Sequence, residues 1–345
     1  MKRMITAAAA ASVAGVLALT GCSATGASSK DALSVVGYSV LEAANKPVFA
    51  DFQKTSAGKG VEFRTSYGAS GDQSRAVDGG LKADVVHFSL ETDVTRLVDS
   101  GLVDKNWKDT PTKGIATSSV VVLVVRKGNP EHITGWDDLV KPGVQIITPN
   151  PGSSGSARWN ILAAWEHVAG NGGTDAQAKA FLTGLLKNTI ALPSSGRDAT
   201  TSFTAGNGDV LLSYENEAIL AKQGGADVDY VVPDDTLLIQ NPAAVTKAAS
   251  SKAKAFLTFL TSPTAQEDYA RSGFRPVVDG VKVPQVEGAN DPSDPFPTPK
   301  KLFTIDKDLG GWASAAPKFF NDGEDGKPLG IVPQLQEKTG KQGEQ

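Results

Sequence analysis

The chain has 345 residues, 40% of them hydrophobic and 21% charged, a balance typical of a globular protein with room for two domains. Its formal net charge is −4. Because no basic field is present to attract a polyanion, this composition excludes the nucleic-acid-binding classes.

The N-terminus has the pattern of an export signal. Lys2 and Arg3 form a short positive region, and the apolar run Ile5–Leu19 follows it. That run is too short to span a bilayer comfortably as a mature helix. It ends in Leu-Thr-Gly-Cys, and Cys22 is the only cysteine of the chain. This tetrapeptide resembles the lipobox of bacterial lipoproteins, so we predict that residues 1–21 are removed and that Cys22 is acylated.

The segment 22–32 is small and polar, and we predict a flexible tether between the membrane and the folded part. A single cysteine allows no intramolecular disulfide, so the stability of the protein must come from a packed core. The expected location is the outer face of the cell membrane, where the protein is anchored by lipid and does not span the bilayer.

From Leu33 onward, short apolar runs alternate with amphipathic stretches, which predicts an α/β fold. The predicted strands are Leu33–Gly37, Val61–Thr65, Ala83–Phe88, Val120–Arg126, Val144–Thr148, Thr189–Leu192, Asp209–Ser213 and Val228–Val232. The predicted helices are Val40–Lys54, Ser70–Gly80, Ala157–Val168, Thr174–Leu186, Lys252–Leu260 and Thr264–Arg271.

The alternation suggests two lobes that close on a ligand. The apolar stretch Ser118–Arg126 is the predicted crossover into the second lobe, and the return is expected near residues 240–250. We therefore predict that 33–118 and 247–322 form lobe 1 and that 119–246 form lobe 2. The remaining residues, 323–345, are predicted to be a polar tail that wraps the surface or is disordered.

Three predicted strand-to-helix turns are rich in glycine and serine: Ser66–Gly71, Thr148–Ser156 and Pro193–Arg197. The first N–H groups of a helix are unpaired and carry partial positive charge, so such a turn favours an anion. Glycine permits close approach of the backbone, and serine adds a rotatable donor. Three turns together could surround a tetrahedral oxyanion, although for any one turn alone an ordinary helix cap or loop is the favoured interpretation.

Other chemistry receives little support from the sequence. No Gly-Lys-Ser/Thr follows the glycines, so none of these turns is a P-loop. The three histidines are scattered without metal-ligand spacing, and no metal or other cofactor is expected. Asp72 and Asp198 lie close to two of the turns and are predicted to point to solvent, because an acid facing the site would repel an anion.

Several segments resemble the sulfate-binding proteins that serve the sulfate–thiosulfate ABC importer. These segments occur in the order found in that family, from about Tyr38 to Trp312, and cover nearly the whole mature chain. They are Val125–Pro130, Gly135–Leu139, Ile147–Pro151, Ala157–Asn160, Gly208–Leu211, Glu215–Ala218, Phe274–Pro276, Leu302–Asp306 and Gly310–Trp312. The resemblance implies a two-lobe fold of the type II periplasmic-binding class with discontinuous lobes.

In that family a dry sulfate is held by backbone N–H groups, serines and one tryptophan. Carried over position by position, the resemblance implies that the ligand-binding residues are Ser39, Ser70, Ser154, Gly155, Ser156, Gly196 and Tyr214, with Arg158 and Arg197 bracing the loops. Four positions depart from the family: Ser39 stands for its Asp, Ser156 for its second Gly, Gly196 for its usual Ala, and Tyr214 for its Trp. A phenol can donate one hydrogen bond as an indole does, but it can also accept one.

The implied function is non-enzymatic capture of sulfate by a monomer, followed by delivery to an ABC permease and its ATPase. The same scaffold with thiosulfate, molybdate or phosphate is the nearest alternative. An alternative of another class is an exported hydrolase with Ser70 as nucleophile. The sequence argues against it, because it offers neither a general base nor metal ligands for such an enzyme. A purely structural envelope protein is the third possibility.

Overall fold

A computed structural model describes residues 32–323 and 326–342. The predicted signal peptide, Cys22 and the tether up to residue 31 lie outside the described residues. The strands are β1 (Ala32–Tyr38), β2 (Glu62–Gly68), β3 (Val85–His87), β4 (Ile115–Arg126), β5 (Ile146–Ile147), β6 (Thr189–Ala191), β7 (Val210–Tyr214), β8 (Val228–Val231), β9 (Asp235–Val245) and β10 (Lys301–Phe303).

The helices lie between and after these strands. They are α1 (Leu41–Lys54), α2 (Ser70–Asp78), α3 (Glu91–Asp99), α4 (Gly155–Ala169), α5 (Asp175–Asn188), α6 (Gly196–Thr204), α7 (Glu215–Gln223), α8 (Ser251–Leu260), α9 (Pro263–Arg271), α10 (Ile305–Asp308), α11 (Trp312–Phe320) and α12 (Ile331–Thr339). A 3₁₀ helix spans Trp136–Val140.

The strands follow the order β2-β1-β3-β9-β4-β7-β5-β6, with β8 beside β4 and β10 beside β9. The pairs β1–β2, β1–β3, β5–β6 and β5–β7 are parallel, and their strands are connected through helices. This is the α/β construction expected from alternating strand and helix patterns. The predicted α/β class is confirmed.

Two long antiparallel strands, β4 and β9, join the two halves of the molecule. The first part of β4 pairs with β9 over Ile115–Val120, and its second part pairs with β7 and β8 over Val121–Arg126. The end of β9 pairs in turn with β3. The chain thus passes between the halves along these two strands, although the lobe limits given above stay a prediction.

The strand β4 is apolar from Val120 to Val125 because both of its faces are covered there. Its valines at 120, 122 and 124 pack into one hydrophobic cluster with Phe203 and Leu211. The alternating Val121, Leu123 and Val125 pack into a second, larger cluster. Successive side chains of a strand point to opposite faces, so a strand buried on both faces reads as a continuous apolar run.

The C-terminal segment corrects one prediction. Residues after Gly323 were expected to be a polar tail, wrapped on the surface or disordered, but the structure contains the helix α12 there. Ile331, Val332 and Leu335 of that helix are buried and belong to the main hydrophobic cluster. The helix has a single apolar face, which is why its composition reads as polar.

Candidate anion-binding site

The second of the three turns leads directly into α4 and leaves two donors unpaired. The turn is closed by a hydrogen bond from Ser154 N to Asn150 O (2.8 Å). The helix begins at Gly155 and has no side-chain cap. Within the described residues, the N–H groups of Gly155 and Ser156 donate to no protein acceptor. Both residues are buried, and a buried N–H group without a partner is rare enough to indicate a ligand.

The third turn is arranged differently, because Ser195 caps α6. Its side-chain oxygen accepts from Asp198 N (3.1 Å), which leaves the N–H of Gly196 without a protein acceptor in the described chain. The N–H of Arg197 points to Ser39 Oγ at 3.4 Å. Ser39 precedes α1, so this contact brings the beginnings of α1 and α6 together.

The first turn places Ser70 at the start of α2, almost completely buried. Its hydroxyl donates to Asp93 Oδ2 (2.6 Å) and accepts from Ser89 N (2.9 Å). Burial raises the pKa of Asp93, while the bond from Ser70 acts in the opposite direction. The single hydroxyl hydrogen of Ser70 is therefore directed at Asp93 in this structure.

Tyr214 ends β7 and precedes α7, and its side chain is completely buried. Its hydroxyl lies 2.7 Å from Ser89 Oγ. Burial raises the pKa of Tyr214, so the phenol is neutral. The sequence reasoning missed Ser89 and Asp93. Ser89 follows β3 and precedes α3, and this fourth strand-to-helix turn with a small hydroxyl residue was the signal that could have revealed it.

Residues from the two halves of the molecule meet at these turns. Gly71 N donates to Ser153 O (3.0 Å), and Trp159 Nε1 donates to Ser89 O (3.0 Å). A Cβ atom added to Gly155 would lie only 2.4 Å from Ser89 Oγ, and one added to Gly196 would lie 2.9 Å from the hydroxyl of the second turn's last serine. The structure thus brings all seven predicted ligand-binding positions into one buried cluster.

The two predicted supporting arginines make different contacts. Arg158 Nε donates to Pro151 O (2.9 Å) and so holds the backbone of the second turn. Arg197 pairs with the buried carboxylate of Glu217 at 2.7 Å, and Thr200 donates to the other carboxylate oxygen. Burial raises the pKa of Glu217, and Arg197 opposes that shift.

Three further titratable side chains, those of Asp72, Asp198 and His87, add no charge to the centre of the site. Asp72 and Asp198 are exposed, as predicted, the first paired with Arg75 and the second accepting from Ser195. His87 is buried, and burial lowers its pKa to about 3, so the ring carries no charge at neutral pH. In the described ranges, no group of three or more His, Cys, Asp or Glu side chains is placed to hold a metal ion.

Two α/β halves, joined by two strands and facing each other with helix N-termini, define a solute-binding protein. The family of bacterial extracellular solute-binding proteins matches residues 33–275. More distant solved structures share the fold, among them a periplasmic thiamin binding protein (18% identity, TM-score 0.59, 72% of this chain and 84% of that one). In residues 32–323 and 326–342, no helix combines the length and the apolar character needed to cross a membrane.

Closer relatives narrow the family. A sulfate-binding protein of Synechococcus elongatus is 45% identical over 84% of both chains. A thiosulfate-binding protein of Pseudomonas aeruginosa is 35% identical over 84% of this chain and 89% of that one. Among solved structures, the sulfate-binding protein SubI from Mycobacterium tuberculosis H37Rv is 44% identical with a TM-score of 0.79, and the match covers 84% of this chain and 99% of SubI. The chain belongs to the sulfate-binding protein family, as the sequence resemblance predicted.

Proposed function

We propose that this protein binds sulfate between its two lobes and acts, without enzymatic activity, as the solute-binding component of an ABC importer. The observation that carries the proposal is the set of unpaired N–H groups of Gly155, Ser156 and Gly196, at the beginnings of two helices in a buried cluster. Supporting this, relatives that share most of the chain are sulfate-binding proteins.

The chemistry of the cluster suits a dianion. Removing water from sulfate is costly unless nearly all of its oxygen lone pairs find donors. Helix N-termini supply such donors together with partial positive charge, and charged groups can stay one contact away. Arg158 and Arg197 occupy that outer position, because each binds protein groups near the turns. Ser70 would join the donors by turning its hydroxyl from Asp93 to the anion.

Thiosulfate is the second candidate, because the Pseudomonas relative is a thiosulfate-binding protein. Its geometry is tetrahedral as well, with one sulfur in place of an oxygen. Titration calorimetry with sulfate, thiosulfate, molybdate and phosphate would rank the ligands. Absence of heat with all four, together with turnover of a phosphomonoester, would contradict the proposal in favour of a hydrolase.

Ser154 tests the second turn. Ser154 is buried, and its side chain makes no capping hydrogen bond to α4. We expect Ser154→Ala to weaken sulfate binding by about 1.5–3 kcal/mol, roughly tenfold to a hundredfold, because a hydrogen bond to a charged group is lost. Ser153→Ala is the matched control, since the Ser153 hydroxyl donates to Ser194 O and not to the cluster. Equal affinities for the two variants would show that Ser154 is not a ligand.

Attachment to the membrane is a separate part of the proposal. The lipobox-like sequence ending in Cys22 supports a lipid anchor on the outer face of the membrane. Cys22→Ala is expected to release the protein into the soluble fraction, while its sulfate affinity stays unchanged. Cell fractionation followed by calorimetry measures both. Retention of the variant in the membrane fraction would contradict the lipid anchor and leave the binding proposal intact.

A further inference from the structure

His167 lies near the end of α4, between two carboxylates that come from other parts of the chain. Its Nδ1 lies 2.9 Å from Asp235 Oδ2, at the beginning of β9, and its Nε2 lies 3.1 Å from Asp137 Oδ1, in the 3₁₀ helix. The side chain of Asp235 is only 12% exposed, whereas that of Asp137 is 86% exposed. One imidazole ring therefore connects three elements that are distant in sequence.

The number of ring hydrogens decides the charge of His167 in this arrangement. A carboxylate only accepts hydrogen bonds, and a neutral imidazole donates from one nitrogen while the other carries a lone pair. With a carboxylate oxygen at each nitrogen, a neutral ring would direct that lone pair at a negative charge. A protonated ring donates to both carboxylates. Burial acts to lower the pKa of His167, but the hydrogen bonds to Asp235 and Asp137 outweigh it, so the pKa is raised.

The other groups around the ring favour the same protonation state. Directly after α4, Asn171 Nδ2 donates to Asp235 Oδ2 (2.6 Å), and Lys301 Nζ of β10 donates to Asn171 Oδ1 (3.0 Å). From α5, the uncharged ring of Phe181 packs against His167 with the ring centroids 5.3 Å apart. Burial acts to raise the pKa of Asp235, but the bonds from His167 and Asn171 outweigh it, so the pKa is lowered. Asp235 is therefore ionised at neutral pH and stabilises the positive charge of the ring.

The place of this contact in the fold gives it a structural consequence. The helix α4 runs from the second turn to His167, and β9 is one of the two strands that join the halves. Trp136 Nε1 donates to Asp235 O (2.8 Å), so the first residue of β9 is held through both its backbone and its side chain. A positive charge near the C-terminus of α4 is also favourable to the helix dipole. Loss of the proton would loosen the connection between the 3₁₀ helix, α4 and β9.

We propose that His167, Asp137 and Asp235 form a pH-sensitive lock, which the proton on His167 keeps closed and which opens as the pH rises. This inference does not depend on which ligand the protein binds. When the proton passes to solvent, the ring can donate to only one carboxylate, and the exposed Asp137 can turn to water. The folded protein holds this proton more tightly than the unfolded chain does. The lock therefore contributes its full stability below the ordinary histidine pKa of about 6.5, and the contribution is lost as the pH rises through the raised pKa.

Proton NMR of the imidazole signals tests the charge in the wild-type protein. The chain has three histidines, and the signal of the exposed His132 is assigned with a His132→Gln variant, which leaves the lock untouched. Burial lowers the pKa of His87 to about 3, so its signal does not titrate near neutral pH. We expect the signal of His167 to titrate clearly above pH 6.5. Titration of that signal at or below pH 6.5 would overturn the proposal.

Urea unfolding of the wild type and of His167→Gln at pH 6 and pH 9 measures the stability that the lock supplies. Glutamine is uncharged at both pH values. We expect the folding equilibrium constant of the wild type, relative to that of His167→Gln, to fall about tenfold between pH 6 and pH 9. The matched control His132→Gln should show no such change. A difference between the wild type and His167→Gln that is the same at both pH values would contradict the lock, and the NMR titration gives the answer even where His167→Gln fails to fold.

Discussion

Replacing Gly155 by alanine is expected to weaken sulfate binding at least a hundredfold, about 3 kcal/mol. The added Cβ would lie 2.4 Å from Ser89 Oγ, 2.6 Å from Ser89 Cβ and 2.8 Å from Leu90 Cγ. These atoms belong to the segment after β3, across the cluster from α4, and both partners are buried with little freedom to move. The two halves could then not approach as closely as the unpaired N–H groups need in order to meet one anion.

In the unliganded protein, Gly155→Ala should change the free energy of unfolding by less than about 1 kcal/mol. Alanine is favourable in a helix, and without a ligand the two halves can stay apart, which avoids the clash. Gly135→Ala is the matched control: its Cβ would meet nothing within 4 Å, and its φ of −175° is open to any residue. Titration calorimetry gives the affinities, and small-angle scattering with and without sulfate follows closure. If the two lobes of the Gly155→Ala variant still close on sulfate and the affinity is unchanged, the predicted clash between the added Cβ and Ser89 is contradicted.

The parts of the fold that could be predicted from the sequence are those that local patterns decide. Alternating apolar runs and amphipathic stretches predicted the strands β1, β2, β4 and β7 and the helices α1, α2, α4 and α5, because each element has its own periodicity. The glycine- and serine-rich turns predicted where helices begin. Both signals concern neighbours in the chain.

The strand β9 was not predicted, because its local pattern disagrees with its structure. It contains Gln240, Asn241 and Pro242, a combination that predicts a turn. In the structure Asn241 is buried and its side chain binds Tyr38 and Ser89. Partners 152 and 203 positions away along the chain compensate the buried amide, and such compensation cannot be seen in a local pattern.

Ser89 shows the same limit within the site. The strand before it was predicted as Ala83–Phe88, but the serine after that strand has no neighbouring glycine and so lacked the signal of the other three turns. Family resemblance led to Tyr214, but the hydrogen-bond partner of its hydroxyl, Ser89, became visible only through a contact over 125 positions of sequence. Local turns can indicate that an anion binds, whereas the hydrogen-bond partners of the side chains around the site depend on tertiary contacts.

The largest expected effect on stability concerns Arg275. Its guanidinium forms a bidentate pair with Glu215, with Nε–Oε2 at 2.7 Å and Nη2–Oε1 at 3.0 Å. The Glu215 side chain is 0% exposed, and burial raises its pKa while Arg275 opposes the shift. We expect Arg275→Ala to lower the free energy of unfolding by about 3–5 kcal/mol, because a buried carboxylate is left without its partner.

The pH dependence and a second substitution separate this cause from a simple loss of packing. Without Arg275, the folded-state pKa of Glu215 should rise further above its unfolded value, so the folded variant binds a proton that the unfolded chain does not. The loss of stability should therefore shrink as the pH falls from 8 towards 5. Changing Glu215→Gln as well removes the unpaired charge and should recover a large part of the loss at pH 8. Urea unfolding of both variants at pH 8 and pH 5 measures these free energies of unfolding. A loss of stability that does not change with pH, and that Glu215→Gln does not relieve, would contradict the unpaired-carboxylate explanation. Arg275 would then stabilise the protein through its contacts with Phe296 and Pro297.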